Sequence, residues 1–329
     1  MKNSKTKNLV LTTMLLLIFS NSSFGQKLEP KVRITEPDHV ITSELMGRDY
    51  QLYILFPKDY STKDTISYPV LYVLDGRLFF QSVRATTDAL YVIGNEIEDV
   101  IIVAIGSEGL DFLSSVINRT YDYTTSVDTA SVRNIEKQLG FPIGTLKSGG
   151  ADKFLECIKT EIIPFVDKHY KTNNERGIAG NSFGGLFSAY CFINSDGYFT
   201  RFGINSPSFW WDKGKLLNQA ALQFTNNKSW DIPPTKVFVS VGEKEGPSMV
   251  PTMQKFKSLL EAAGYENIDL KWQVFEGETH LSVVPASISK TITTLYDLYL
   301  QALQKGGFHL RILAILNLCS HNQQLQEVI

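Results

Sequence analysis

The tract Arg176-Gly-Ile-Ala-Gly180-Asn-Ser182-Phe-Gly184-Gly-Leu186 carries a serine with a glycine two residues to either side. It falls between a short apolar run and a segment with helical periodicity. A serine hydroxyl is a weak nucleophile at neutral pH. A sharp strand-to-helix turn makes it useful by lifting the hydroxyl above the sheet and aiming the helix N-terminus at a reacting carbonyl. The flanking glycines are expected because a Cβ would clash in such a turn. Close packing of helix on sheet would also select glycine, but the strand-to-helix context favours the nucleophile.

A nucleophilic serine needs a base, and the base needs a group that orients it. Of the five histidines, His39 precedes the apolar runs, His169 closes a helical pattern, and His309 and His321 lie in the C-terminal tail. His280 sits in the loop Glu276-Gly-Glu-Thr-His280-Leu-Ser, between the last strand pattern and the last helical one, where a general base belongs. For the acid, the run ending at Val241 leads into Gly242-Glu243-Lys244-Glu245-Gly246. The two carboxylates alternate, so one can face His280 while the other is solvated. We favour Glu245, which would hold the imidazole tautomer and stabilise the imidazolium.

These residues have to be positioned by regular elements. Residues 40–56 alternate apolar and polar, as antiparallel strands with one covered face do. Continuous apolar runs at 68–75, 99–105, 176–180, 201–205, 235–241 and 270–275 read as strands buried on both faces. Helical patterns fall between them at 80–93, 151–170, 184–194, 250–263 and 285–304. This alternation predicts an α/β fold, a doubly wound, mostly parallel sheet with helices on both faces, as a single domain over 26–305. Residues 107–149 show little periodicity and are expected to form an irregular binding segment at a strand's carboxyl end.

Composition narrows the function. The 329 residues are 43% apolar and 12% aromatic, enough for a large core, and 32 basic against 34 acidic residues leave a net charge of -2. Such a molecule has no field to gather phosphate backbones, so nucleic acid is not an expected partner. Cys157, Cys191 and Cys319 permit one disulfide at most, and no Cys-x-x-Cys or histidine cluster suggests a metal. Lys2, Lys5 and Lys7 precede an apolar run over 9–19 and a small, polar stretch over 21–25. This reads as a signal peptide over 1–25, with a cut after Gly25 favoured over one after Ser22 and an uncleaved anchor as the alternative, on a chain exported to the periplasm or beyond, with no stable membrane insertion after cleavage. The role of residues 306–329, which hold an apolar run over 308–318, is left open.

Five tracts in order resemble the Putative esterase family of α/β hydrolases: Tyr68-Pro-Val-Leu-Tyr-Val-Leu-Asp75-Gly76, Gly180-Asn-Ser-Phe-Gly-Gly185, Ser206-Pro-Ser-Phe-Trp210-Trp211, Ser240-Val-Gly-Glu-Lys-Glu245, and His280. That family groups enterochelin (siderophore) esterases, esterase D-like hydrolases, feruloyl esterases and mycolyltransferases. The resemblance spans residues 34–304 and is nearest to the siderophore-esterase-like branch. It implies the α/β-hydrolase fold and a serine carboxylesterase that acts through an acyl-enzyme on a small-molecule or glycan-linked ester, with no metal or organic cofactor. It implies backbone N–H donors to the oxyanion from Arg77 and Phe183, and an acid that agrees with Glu245, although some members work as a Ser-His dyad. Arg119, in Ile117-Asn-Arg-Thr-Tyr-Asp-Tyr-Thr124, would meet a substrate carboxylate or carbonyl, or else pair with Asp122. Trp210 and Trp211 would wall the pocket, with at least one of them plain core. Acyl transfer to a sugar or lipid, and a non-catalytic binding protein on the same scaffold, are the alternatives.

Overall fold

The computed structural model describes residues 35–298, save 59, 64, 95, 110 and 111. The signal-like segment, the tail over 306–329 and the end of the last expected helix lie outside the described residues. Eight strands form one sheet: β1 (His39–Ser43), β2 (Arg48–Leu55), β3 (Tyr68–Val73), β4 (Ile101–Ser107), β5 (Thr172–Asn181), β6 (Arg201–Asn205), β7 (Thr235–Gly242) and β8 (Ile268–Phe275). Their order is β1-β2-β4-β3-β5-β6-β7-β8. β1 and β2 are antiparallel to their neighbours, and every pair from β4 to β8 is parallel. All six residues of β3 are buried, as expected of a strand covered on both sides. Its register on β5 shifts at Pro69, which has no N–H to give the ladder.

Side chains alternate across the strands, so each strand feeds two cores. Leu71, Val73, Ile102, Ala104 and Phe238 face α1 (Gly76–Thr87) and α9 (Val283–Leu295), meeting Phe80, Val83, Ile292 and Leu295. Val70, Tyr72, Val103, Ile178, Val237 and Val239 face the other side, with Phe154, Phe187, Leu217 and Phe256 from the helices that cover it. Each large apolar side chain withdrawn from water contributes about 1.5–3 kcal/mol. Cys157 and Cys191 lie in this second core as free, buried thiols.

The segment expected to be irregular is not. Residues 107–149 contain α2 (Phe112–Tyr123) and α3 (Thr129–Leu139). Their helical period is hidden because the buried faces include polar residues. Thr120 and Thr124 donate to the carbonyls four residues back, each at 2.6 Å. Glu136, fully buried, accepts from the amides of Gly144 and Leu146 at 2.9 and 2.8 Å. The caps were nevertheless written in the sequence: Asp128 accepts from the amides of Ala130 and Ser131, and Gly140 ends α3 in the left-handed region at φ 73°. The helix expected over 151–170 is interrupted. A π-helical turn, Ile158–Ile162, separates α4 (Ala151–Cys157) from α5 (Ile163–His169), just ahead of Pro164, which cannot donate to an ordinary helical ladder. The remaining helices are α6 (Phe183–Asn194), α7 (Lys215–Asn226) and α8 (Met249–Ala263). α7 is an addition to the expected set; it buries Leu216, Leu217, Ala220 and Phe224 along one face.

Candidate active site

Ser182 joins β5 to α6 at φ 63° and ψ -118°, a conformation that costs an L residue about 1–3 kcal/mol and persists only where the surroundings enforce it. Here its N–H donates to the Asn205 carbonyl at 3.1 Å. Its own carbonyl accepts from Leu186 at 2.9 Å and Ser208 at 3.2 Å. The chain leaving β6 therefore straps the turn from outside.

The glycine requirement differs in detail from expectation. A Cβ on Gly180 would lie 2.6 Å from the backbone of Gly184, so that glycine is needed. A Cβ on Gly184 itself would meet nothing nearer than 3.4 Å. The second crowded position is Gly185, where a Cβ would lie 2.2 Å from the Asn205 carbonyl oxygen. Gly185→Ala should destabilise the fold by about 1–3 kcal/mol, since backbone must move, while Gly184→Ala stays within about 1 kcal/mol. Urea unfolding of the two variants measures the difference, and equal midpoints would contradict it.

Neighbouring strands deliver the other groups to the same end of the sheet. His280, after β8, places Nδ1 2.7 Å from Oε2 of Glu245, after β7. The Glu245 side chain is fully covered and the His280 side chain 39% exposed, so the carboxylate is sheltered while the imidazole keeps access to the surface. Oε1 of Glu245 accepts from the Ser206 hydroxyl at 2.6 Å and the Gly242 amide at 2.7 Å. Burial by itself would raise this carboxyl. Hydrogen bonds from His280, Ser206 and Gly242, with attraction to the imidazole, outweigh burial and hold it below the ordinary glutamate value. An ionised carboxylate can only accept, so Nδ1 of His280 carries the proton in this bond. Glu243 is elsewhere: its Oε2 accepts from the Gly277 amide at 2.8 Å on the surface.

Ser206 was legible only as part of a motif, with no role attached. It sits at φ 42°, strained for a residue with a Cβ, and its amide donates to Ser240 at 2.7 Å. Ser206→Ala should lower kcat roughly ten-fold, about 1.4 kcal/mol, with KM unchanged, because Glu245 loses one of the bonds that aim Oε2 at His280. Steady-state kinetics on a p-nitrophenyl ester checks this, and an unaltered kcat would refute it.

The two amides implied for the oxyanion lie at helix starts. Arg77 is in the first turn of α1, after Asp75 in the left-handed conformation (φ 54°, ψ 39°), and Phe183 opens α6. Helix N-termini attract developing negative charge.

Arg119 does not pair with Asp122. Its Nε and Nη2 each lie 3.0 Å from a different oxygen of Asp75, a two-pronged ion pair inside the protein. Asp122 instead pairs with Arg48 and accepts from the Tyr50 hydroxyl. The reason is register: α2 turns Arg119 toward the β3 turn and Asp122 toward β2. Trp211 is core, 1% exposed, its Nε1 donating to the Ser126 carbonyl at 3.0 Å. Trp210 is half-buried, with its ring centre 6.0 Å from that of Phe183 beside the Ser182 turn.

The Esterase family model, described as Putative esterase, matches residues 43–289, the span holding the turn at Ser182, both glutamates and His280. The chain belongs to this family. It is an ester hydrolase on the α/β-hydrolase fold. Ferri-bacillibactin esterase BesA of Bacillus subtilis is 25% identical to it over 262 residues, covering 77% of this chain and 86% of that one. Siderophore triacetylfusarinine C esterase of Aspergillus fumigatus is 24% identical over 278 residues, covering 76% and 90%. Among solved structures, the BES protein from Bacillus cereus superposes with a TM-score of 0.67 at 29% identity, covering 79% of this chain and 95% of that one.

Proposed function

We propose that the esterase is an exported serine carboxylesterase that cleaves a siderophore-type ester with a Ser182-His280-Glu245 triad. Ser182 Oγ attacks the ester carbonyl while His280 Nε2 takes its proton, and Glu245 orients the imidazole and balances its positive charge. The N–H groups of Arg77 and Phe183 receive the oxyanion. His280 returns the proton to the leaving alcohol, and water, activated by the same imidazole, releases the acid from the acyl-enzyme. No step calls on a metal or organic cofactor.

The observation that carries this reading is the pairing of His280 with a buried, ionised Glu245 at 2.7 Å, one end of the sheet also holding a serine in a strained strand-to-helix turn. The names of the curated relatives support the substrate class, and Trp210 beside Phe183 suits an aromatic acyl group. The positive start, short apolar run and small polar stretch over 1–25 support export. Among the described residues no helix is long and apolar enough to cross a membrane.

An ester panel of siderophore trilactones, acylated sugars and p-nitrophenyl esters tests the function, together with fluorophosphonate labelling mapped by mass spectrometry. The adduct should fall on Ser182 and the trilactone should give the highest kcat/KM. An adduct elsewhere would end the triad reading, and preference for acylated sugars would end the siderophore one. A mature N-terminus at Gln26 in the periplasmic or extracellular fraction is the expected sign of export.

A further inference from the structure

Directly after the two tryptophans the backbone turns left-handed for three residues. Asp212 (φ 46°, ψ 51°), Lys213 (φ 53°, ψ 32°) and Gly214 (φ 78°, ψ 28°) follow one another, and only the last is a glycine. Left-handed backbone crowds each Cβ against the following carbonyl oxygen, so residues with side chains visit it singly. A run of them persists only where the surroundings enforce it. Here the segment between α2 and α3 does so. The Ser126 hydroxyl donates to Asp212 Oδ2 at 2.7 Å, the Asp212 amide donates to Asp128 Oδ2 at 3.2 Å, and Trp211 Nε1 donates to the Ser126 carbonyl at 3.0 Å. Asp128 is itself fixed, because its other oxygen caps α3 through the amides of Ala130 and Ser131.

We propose that Asp212, gripped by Ser126 and Asp128, is a positioning residue that fixes the Trp210 indole as a wall of the substrate site and so sets a preference for aromatic acyl groups. This rests on the reading of Trp210 as the surface that an aromatic acyl group meets. Trp211 is held by burial and by its bond to Ser126, and its ring meets that of Phe183 edge-on at 5.2 Å. Trp210 has less support. It is half-buried, with ring centres of Phe183 and Trp211 6.0 and 5.9 Å away, so packing fixes its indole only in part. The backbone that carries it must decide where it points. Upstream, that backbone is tied to the serine turn: the Ser208 amide donates to the Ser182 carbonyl, and the Trp211 amide donates to the Ser208 carbonyl at 3.0 Å. Downstream, the left-handed turn leads straight into α7, which is anchored by its buried Leu216, Leu217, Ala220 and Phe224. If the clamp on Asp212 opened, residues 212 and 213 would relax toward right-handed backbone. With α7 anchored on one side, the displacement would fall on Trp210.

The test compares p-nitrophenyl benzoate with p-nitrophenyl acetate, and follows the circular-dichroism couplet expected of the neighbouring Trp210 and Trp211 indoles. Asp212→Ala should lower the benzoate-to-acetate ratio of kcat/KM roughly ten-fold, through KM for the benzoate, and shrink the couplet. Asp212→Asn keeps an accepting oxygen and tolerates the left-handed region, so it should hold both readouts within about two-fold of the parent. Trp210→Ala should lower the ratio at least as far and abolish the couplet. Adding Asp212→Ala to it should change the ratio by less than about two-fold, because Asp212 acts through that indole. Ser126→Ala, which deletes the same bond from its other end, serves if Asp212→Ala folds poorly. A parent-like ratio and couplet in Asp212→Ala overturns the proposal, and so does a further fall in the double variant. A parent-like ratio in Trp210→Ala ends the reading of Trp210 as a wall and the selectivity claim with it, while the couplet in Asp212→Ala shows separately whether Asp212 holds the indole.

Discussion

Ser182→Ala should lower kcat for ester hydrolysis by roughly a million-fold, to the residual level left by binding and the oxyanion donors alone. In the proposed mechanism the Oγ of Ser182 forms the acyl bond, and alanine leaves only an unpositioned water as nucleophile. The strained turn survives the change, because its hydrogen bonds run through the backbone amide and carbonyl of Ser182 to Asn205, Leu186 and Ser208. The variant should therefore unfold within about 0.5 kcal/mol of the parent, and loss of activity with retained stability is the signature to seek. Adding His280→Ala to Ser182→Ala should cost almost nothing further, since the pair acts as a unit. Turnover within ten-fold of the parent would place the nucleophile elsewhere.

Glu245→Gln should lower kcat by roughly ten thousand-fold while leaving KM near its original value. The amide can present its NH2 to His280 Nδ1, which stabilises the tautomer with the proton on Nε2, the wrong nitrogen for taking a proton from Ser182. The substitution also changes stability with pH. The folded pKa of Glu245 is depressed below its unfolded value, so its contribution is present above the ordinary glutamate range and lost as pH falls through the lowered folded value. Denaturant titrations at pH 7 and pH 3 should show Glu245→Gln less stable than the parent at the first and closer to it at the second. If kcat falls less than ten-fold, the enzyme works as a Ser-His dyad with Glu245 as a structural anchor.

The layout of strands was readable because fully buried strands impose long apolar runs, and parallel connections impose helices between them. Every run singled out between 40 and 275 overlaps a strand of the sheet. The segment 107–149 was unreadable by periodicity for the opposite reason. The segment buries Thr120, Asp122, Thr124 and Glu136, which make contacts that hydropathy does not register. The capping residues Asp128 and Gly140 were the better signal there, because a cap is local chemistry and survives whatever the helix packs against.

Local order in the chain determined where the serine turn, the histidine loop and the acidic turn had to lie. A strand followed by a glycine-bounded serine and a helix can close in few ways, and a loop after the last strand can reach few places. What required the tertiary structure was partnership between residues far apart in the chain. Glu245 rather than Glu243 meets His280, Ser206 holds the far oxygen of that carboxylate, and Arg119 binds Asp75 rather than Asp122. Each choice is between groups of the same chemistry only a few residues apart. Hydropathy and motif spacing treat such neighbours alike, while the orientation of one turn or one helix face sends them to different places.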